Sequence, residues 1–345
     1  YTRYLDAHGH LACPPPDFQL DALLPVYRAM VLTRTFDAKA VALQRTGQLR
    51  TYPSSLGQEA VTVGLASVMR ADDVLLPTYR ETGAMLWRGV SMTEMLLYWS
   101  GDERGSDFAG PREDFPIAVP IASQCGHAVG VGFAFQYRHQ PRVAVVTLGD
   151  GATSKGDFYE AMNTAGAWRL PVVFVVTNNQ WAISVPSRRQ TAAATFAQKA
   201  IAAGIPGEQC DGNDALAVRD CIGRAIEHAR AGDGPSLVEC VSYRLSDHTT
   251  ADDARRYRPQ EEVSAAWALE PLARLRHYLV DQRVWSKQDE EALLSDVQAR
   301  VADAAARYLA TPVQPLSSLF DYLYADIPAD LAIQRQQLLT ERGQA

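Results

Sequence analysis

Two short runs of apolar, mostly β-branched residues, separated by about one helix length, constrain the fold of this chain most. Residues 142–148 read RVAVVTL and residues 171–177 read PVVFVVT. Near-continuous apolar runs of this length are typical of strands buried on both faces of a parallel sheet. The stretch 154–168 between them fits a helix about 22 Å long, which returns the chain to the start of the sheet. The sequence therefore predicts a βαβ unit with a right-handed crossover.

Periodicity and turn residues predict further elements around this unit. A third strand is expected at 236–243, and the chain from about 261 is expected to be helical. Other helices are predicted at 17–45 with Asp17 as the cap, 58–69, 81–87, 93–99, 124–137 and 215–230. The fold class that follows is α/β, a mostly parallel sheet flanked by helices on both faces.

Domain organisation is predicted to be simple. Residues 1–16 form an irregular N-terminal arm, 17–311 a single α/β domain and 312–345 an irregular C-terminal tail. The loop 101–116 is rich in Gly, Pro and charge, and Trp87, Trp99 and Trp168 are expected in the core.

Composition excludes several classes of function. Lys and Arg number 33 against 40 Asp and Glu, a net charge of -7, which disfavours broad attraction to nucleic acid or to an anionic membrane. No apolar run approaches the roughly 18 residues of a membrane-spanning helix. The five cysteines contain no C-x-x-C pair, so neither a disulfide framework nor a zinc site is indicated. A bacterial cytoplasm is the expected location, and the mitochondrial matrix only if a leader was removed.

Polar residues follow both predicted strands where they end. The first strand leads into 149–154 (GDGATS) and the second into 178–181 (NNQW). Parallel strands place Asp150 and Asn179 side by side at the carboxyl edge of the sheet, where doubly wound folds bind ligands. Carboxylate and amide oxygens suit Mg²⁺ or Ca²⁺. Because Gly151 permits close backbone approach and a helix N-terminus follows, these residues predict a divalent-metal diphosphate site.

The same strings carry a family resemblance. G-D-G, 26 residues and N-N resemble the thiamine diphosphate fingerprint. GDGATSKGDFYEAMNTAGAWRLPVVFVVTNNQWAIS resembles the α subunit of the decarboxylating component of 2-oxoacid dehydrogenase complexes. The resemblance extends through LGQEAVTVG, LPTYRETGAMLWRG and YRLSDHTTADDARRYR, and it covers about residues 20–330.

The resemblance implies roles for particular residues. Asp150, Asn179 and the backbone oxygen of Trp181, where the family usually has Tyr or Phe, would hold Mg²⁺. Gly151 and Ala152 would meet the cofactor diphosphate through their backbone amides.

The resemblance assigns four more positions around the cofactor. Tyr79 and Arg80 match the pair that contacts the diphosphate, for which an Arg fork is well suited. Ile121 would support the aminopyrimidine ring, and His248 is the catalytic histidine of the active-site loop. Tyr257 and Arg258 would lie in the ordered half of that loop.

The implied partners follow from the same resemblance. A separate β subunit would complete the active site in an α2β2 heterotetramer, and the acyl group would pass to a lipoyl acyltransferase core. The substrate would be a small 2-oxoacid. Pyruvate is favoured because the loop 101–116 is short and lacks a G-R-x-x-P/M-H motif, whereas VPIASQ and ISVP also resemble members that act on branched-chain acids.

Three questions stay open from the sequence. A non-catalytic scaffold subunit with a vestigial site is an alternative, although the intact Asp150 and Asn179 pair argues against it. A nicotinamide dehydrogenase is disfavoured because no G-x-G-x-x-G follows a strand. Thr249 stands where some relatives carry a regulatory phosphoserine, which leaves regulation undecided.

Overall fold

The predicted parallel sheet is present in a computed structural model of the chain, which describes residues 1–14, 20–321 and 323–342. Within these residues, five strands pair in parallel in the order β1-β2-β3-β7-β6, and β4 and β5 form a short antiparallel pair beside them. The strands are β1 (Val74–Leu76), β2 (Ala144–Gly149), β3 (Val172–Asn178), β4 (Trp181–Ala182), β5 (Val185–Pro186), β6 (Gly207–Asp211) and β7 (Ser236–Val241). The α/β fold class is confirmed.

Helices surround the sheet. They are α1 (Leu23–Arg45), α2 (Glu59–Ala66), α3 (Thr82–Arg88), α4 (Met92–Ser100), α5 (Ser123–Tyr137), α6 (Gly156–Trp168), α7 (Lys199–Ala202), α8 (Ala215–Arg230), α9 (Gln260–Trp267), α10 (Pro271–Asp281), α11 (Lys287–Ala310), α12 (Ser318–Asp321) and α13 (Ala329–Glu341). The helix predicted over 215–230 is confirmed as α8. The proposed cap Asp17 lies outside the described residues.

Both faces of the sheet are buried, which explains the continuous apolar runs. On β2, Ala144, Val146 and Leu148 pack in the cluster that contains Phe158 of α6. Val145 points to the opposite face, in the cluster that contains Ile222 of α8. Successive residues of β2 therefore point alternately into two buried clusters, and α5 is the helix that packs directly on β2.

A third apolar cluster, built mainly from α1, α4, α10 and α11, packs beside this α/β layer. One buried carboxylate organises the segment that connects α1 to α2. Asp37 of α1 accepts hydrogen bonds from the Tyr52 hydroxyl at 3.1 Å, from the Ser54 hydroxyl at 2.5 Å and from the Ser55 amide at 2.7 Å. These bonds fix residues 52–55 against the domain, and the carbonyl of Ser54 then becomes available to the site described below.

The N-terminal arm adds an extended stretch to the edge of the sheet. Thr2 pairs in parallel with Cys210 of β6, its amide donating to the carbonyl of Gln209 at 2.9 Å. Leu5 is fully buried. The described part of the predicted arm is therefore irregular in backbone but attached to the domain.

The structure corrects two expectations. The tail beyond 312 is not irregular throughout, because α13 forms in a stretch of strong helix formers that follows Pro328. Trp99 is buried as expected and Trp87 is partly buried against the core. Trp168, the last residue of α6, is 55% exposed, and its ring lies beside the exposed ring of Phe133. The domain boundaries at 16/17 and 311/312 stay predictions. Among the described residues, no helix combines the length and apolar character needed to cross a membrane.

Phe158 tests the packing of α6 on the sheet. The ring is fully buried and lies edge-on to Phe174 of β3, with centroids 6.2 Å apart. Phe158→Ala is expected to lower the free energy of unfolding by about 3–5 kcal/mol, because it removes buried area and leaves a cavity. Phe133→Ala is the matched control, since Phe133 of α5 is 47% exposed. Urea unfolding that finds equal losses for both variants would contradict this packing.

Candidate active site

The polar residues that follow β2 and β3 meet at the carboxyl edge of the sheet. The two strands pair through Gly149 and Thr177 at their last common position. After Gly149 the chain makes a 3-10 turn over Asp150–Ser154 before α6 begins. Asp150 and Asn179 therefore leave the sheet on adjacent strands, as the sequence predicted.

Gly151 is needed for the close approach of this turn to β4. A Cβ added at Gly151 would lie 2.6 Å from the Cβ of Ala182. Any larger residue would push the Asp150–Ser154 turn away from the β4 hairpin. The turn is closed by the Thr153 hydroxyl, which donates to the carbonyl of Asp150 at 2.7 Å.

A cavity of about 450 Å³ opens at this edge. Every residue that the sequence assigned to the cofactor or the metal lines it: Tyr79, Arg80, Ile121, Asp150, Gly151, Ala152, Asn179, Trp181 and His248. These residues come from five separate parts of the chain, and only the fold brings them together.

The donor set at the floor of the cavity fits a hard divalent cation. Asp150 is 2% exposed, and no basic side chain of the described residues forms an ion pair with it. Its neighbours Asn179 and Trp181 offer an amide oxygen and a backbone carbonyl, which are oxygen ligands that Mg²⁺ accepts. Burial raises the pKa of Asp150 to about 6, because no bonded cation compensates for the lost hydration of the carboxylate. A bound divalent cation would supply that compensation.

Asn179 and Trp181 are held in place by hydrogen bonds that they donate and accept. The Asn179 amide nitrogen donates to Oε1 of Gln58 at 3.1 Å, and the Trp181 amide donates to Oδ1 of Asn179 at 3.3 Å. The carbonyl of Trp181 accepts from Nη1 of Arg244 at 3.1 Å. The Trp181 indole donates to Glu262 at 2.9 Å, so the larger ring that replaces the usual Tyr or Phe is anchored to α9.

Arg80 stands on the other side of the cavity and is buried without an acidic partner among the described residues. Its guanidinium donates to the carbonyl of Ser54 and, at 2.9 Å, to the carbonyl of His248. The Tyr79 ring lies 5.4 Å from the Arg80 guanidinium carbon. Because both hydrogen-bond acceptors are neutral, the charge of Arg80 is available to an anion in the cavity.

His248 is held in one tautomer by two guanidinium groups. Nη2 of Arg80 lies 3.3 Å and Nη1 of Arg244 lies 3.4 Å from Nδ1 of His248. Guanidinium groups can only donate, so Nδ1 accepts and the ring proton is on Nε2. Burial, followed by the charges of Arg80 and Arg244, lowers the pKa of His248 to about 4. The imidazole is therefore neutral at neutral pH.

The loop that carries His248 is ordered by a compact network. The His248 amide donates to Asp252 at 2.9 Å, and the Tyr257 hydroxyl donates to the same carboxylate. Arg244 in turn donates to the Tyr257 hydroxyl at 2.9 Å, while Arg258 donates to the carbonyl of Arg244. The predicted placement of Tyr257 and Arg258 in an ordered part of the loop agrees with these contacts.

Sequence reasoning gave no role to several residues of the site. Gln58 and Glu81 line the cavity, and burial raises the pKa of Glu81 to about 7. Arg244 and Asp252 support His248, while Gln190 donates to Asp150 at 2.7 Å. All except Gln190 lie within the sequence strings that carry the family resemblance. Their position in those strings could have indicated that they belong to the site. Gln190 lies six residues beyond Ser184, where the resembling string ends, and had no such signal.

A parallel sheet with this turn, these oxygen donors and unpaired guanidinium charge at its carboxyl edge is typical of an enzyme that binds a diphosphate cofactor. The dehydrogenase E1 component family matches residues 27–317. The chain is 44% identical over 328 residues to the 3-methyl-2-oxobutanoate dehydrogenase subunit alpha of Mycobacterium tuberculosis, covering 94% of this chain and 89% of that one.

Two relatives bear a different name. The pyruvate dehydrogenase E1 component subunit alpha of Mycoplasma genitalium is 37% identical over 334 residues, which are 96% of this chain and 93% of that protein. That of Staphylococcus aureus is 38% identical over 336 residues, 96% and 91% of the two chains.

The chain belongs to the dehydrogenase E1 component family. It is a subunit of a 2-oxoacid dehydrogenase, an oxidoreductase for which the family implies thiamine diphosphate. Because its relatives are named as alpha subunits, a β subunit is implied as a partner.

The protonation of His248 can be measured directly. In the cofactor-free chain, NMR of the imidazole is expected to show a neutral ring with the proton on Nε2 at pH 7. The ring should gain its second proton only near pH 4, because the folded-state pKa lies below the ordinary value of about 6.5. Arg80→Gln should move the midpoint upward, since it removes one positive charge. A wild-type midpoint near 6.5 would contradict the two-guanidinium arrangement.

Proposed function

We propose that this chain is the α subunit of a pyruvate dehydrogenase, and that it supplies the diphosphate and metal half of the active site. The observation that carries the proposal is the single cavity lined by all nine residues that the resemblance assigned.

Three oxygen donors would hold Mg²⁺. Asp150 would contribute a carboxylate oxygen, Asn179 its amide oxygen and Trp181 its backbone carbonyl. The support is that Asp150 is buried without a cationic partner in the described residues, which is unfavourable unless a cation binds. Gly151 and Ala152 would present backbone amides to the diphosphate at the start of the turn, where anions are favoured.

Arg80 and Tyr79 would close the diphosphate site from the opposite side. The guanidinium of Arg80 binds only carbonyl oxygens and approaches the neutral His248 ring, so it retains charge and donor capacity for phosphate oxygens. Ile121, which is 44% exposed at the cavity, would support the aminopyrimidine ring by apolar contact.

Thiamine diphosphate, when bound, supplies a nucleophilic thiazolium carbon and an electron sink for the loss of carbon dioxide from a 2-oxoacid. His248 is the residue of this chain that would act on the substrate. Its neutral ring carries the proton on Nε2, which makes it a hydrogen-bond donor toward the reacting carboxylate or carbonyl group. Arg244 and Arg80 hold that tautomer.

A β subunit would complete the active site in an α2β2 heterotetramer, which would pass the acyl group to a lipoyl acyltransferase core. The exposed face of α5 supports a subunit contact. Cβ atoms added at Gly126 and Gly130 would meet no atom within 4 Å, so the backbone is open to a neighbour. Phe133, Tyr137 and Trp168 form an exposed aromatic group beside it, of the kind that marks protein interfaces. The assembly would function in a bacterial cytoplasm.

The short loop 101–116 supports pyruvate as the substrate. Within it, only Glu103–Ser106 forms a 3-10 turn, and the G-R-x-x-P/M-H motif is absent from the sequence. A branched-chain 2-oxoacid is the second candidate. It is favoured by the 44% identity to the Mycobacterium tuberculosis 3-methyl-2-oxobutanoate dehydrogenase subunit alpha.

The effect of Asp150→Ala on cofactor binding distinguishes a catalytic subunit from a non-catalytic scaffold subunit. In the assembled enzyme, calorimetry is expected to show thiamine diphosphate binding that requires Mg²⁺, and Asp150→Ala should abolish it because the only carboxylate of the donor set is lost. Asp157→Ala is the matched control, since Asp157 is an exposed carboxylate in the first turn of α6. Cofactor binding that is insensitive to Mg²⁺ and to Asp150→Ala would favour the scaffold.

Substrate choice requires a competition assay. This chain, assembled with its β subunit, thiamine diphosphate and Mg²⁺, is offered pyruvate and 3-methyl-2-oxobutanoate together, and carbon dioxide release from each is measured. The proposal expects preference for pyruvate and no release by this chain alone. Preference for the branched acid would contradict pyruvate as the substrate and support a branched-chain 2-oxoacid instead. Turnover of neither by a well-formed assembly would overturn the catalytic role.

A further inference from the structure

The segment from residue 187 to residue 199 contacts the Asp150–Ser154 turn, and none of its residues lines the cavity. We call it the buttress segment. It is anchored to the sheet by Glu239 of β7, a fully buried carboxylate that accepts from the Ala197 amide at 2.9 Å and from the Asn178 side-chain amide at 2.7 Å. Two side chains of the segment then reach the turn.

The first side chain is Gln190, which contacts the carboxylate of the donor set. Its Nε2 donates to Oδ2 of Asp150 at 2.7 Å and to the carbonyl of Val185 at 3.2 Å. Both N–H groups of the amide are therefore used, and its orientation is fixed by two acceptors. A neutral donor on one carboxylate oxygen sets the rotation of the Asp150 carboxylate and leaves its charge uncompensated for a cation.

The second side chain is Lys199, which holds the middle of the turn. This lysine is 7% exposed, and its Nζ donates to the carbonyl and to the hydroxyl of Thr153, both at 2.9 Å. The same hydroxyl donates to the carbonyl of Asp150. Lys199 thus acts on the backbone of Asp150 through one intervening residue.

The environment of Lys199 is unusual for a purely structural residue. No described carboxylate lies within ion-pair distance of its Nζ, and its other neighbours are the rings of Tyr159 at 5.2 Å and Phe196 at 5.4 Å. Burial of an ammonium group without a counter-charge is unfavourable, and apolar replacements of buried charges are often neutral or stabilising. An anion bound on the turn would compensate this charge.

We propose that Gln190 and Lys199 are positioning residues, which shape the Asp150–Ser154 turn in advance for the cation and the diphosphate. The inference rests on the proposed function and extends it to residues outside the cavity. Gln190 acts through the Asp150 carboxylate, and Lys199 acts through Thr153 and contributes positive charge beneath the diphosphate.

The test measures cofactor affinity and cofactor-free stability in the same variants of the assembled enzyme. Calorimetry with thiamine diphosphate and Mg²⁺ is expected to show that Gln190→Met raises the Mg²⁺ concentration for half-maximal binding by about 10- to 100-fold, the usual effect of losing an outer-shell partner. Lys199→Met should weaken thiamine diphosphate binding by about tenfold or more. The melting temperature without cofactor should be unchanged in both variants, or higher in Lys199→Met.

Matched controls make the same chemical changes elsewhere. Lys155→Met alters an exposed lysine beside the same turn, whose Nζ pairs with Asp157, and Gln282→Met alters an exposed glutamine after α10. Both controls should bind thiamine diphosphate as the wild type does.

If the wild type itself does not bind the cofactor, the proposed function fails. If the wild type binds and the two variants bind equally well, the positioning roles are overturned. A melting temperature that falls in Lys199→Met without cofactor would assign that lysine a structural role and overturn its part of the proposal.

Discussion

The hydrogen-bonded register between β2 and β3 pairs Gly149 with Thr177, so that Asp150 and Asn179 leave the sheet at the same edge. A shift by one residue would reverse the faces of β2 and carry Asp150 away from its partner. The register is secured by burial on both faces, since Val146 and Leu148 lie in one apolar cluster and Val145 lies in the cluster on the opposite face. The core of the sheet thus determines the geometry of the cavity.

Uncompensated charge is the second organising feature. Among the described residues, Arg80, Arg244 and Lys199 form no ion pair, although all three are buried. Their hydrogen-bond acceptors are neutral: backbone carbonyls, hydroxyls and the imidazole nitrogen of His248. Asp150 is also buried, and the side chain that donates to its carboxylate is the neutral amide of Gln190. A polyanion with a divalent cation would compensate both kinds of charge at once, which is consistent with the cofactor and metal proposed for the site.

Support for His248 comes from outside the cavity. Asp37 of α1 fixes the segment 52–55, and the carbonyl of Ser54 then accepts from Arg80. Arg80 and Arg244 approach the same ring nitrogen of His248. The helical layer, the sheet edge and the loop after β7 are therefore connected through hydrogen bonds to one imidazole, whose neutral state depends on all three.

Local patterns in the sequence determined the elements with strong local signals. The runs at 142–148 and 171–177, the helix α8 and the pair Asp150 and Asn179 were predicted, because apolar periodicity and strand-end polarity are properties of neighbouring residues. The short strands β1 and β6 were not predicted: three to five residues carry too little periodicity, and they are strands because β2 and β7 pair with them. Trp168 was misassigned to the core because a large ring at a helix end does not reveal which side it faces.

The sequence by itself determined the class of fold through its periodicity, and it determined the family and the nine residues assigned to the site through the resemblance of its motifs to that family. Only the tertiary structure decided that the nine residues line one cavity, that His248 carries its proton on Nε2, and that Gln190 and Lys199 reach the turn. Each of these depends on contacts between residues far apart in the chain. Such contacts are set by the packing of the whole domain and leave no periodic signal in the sequence.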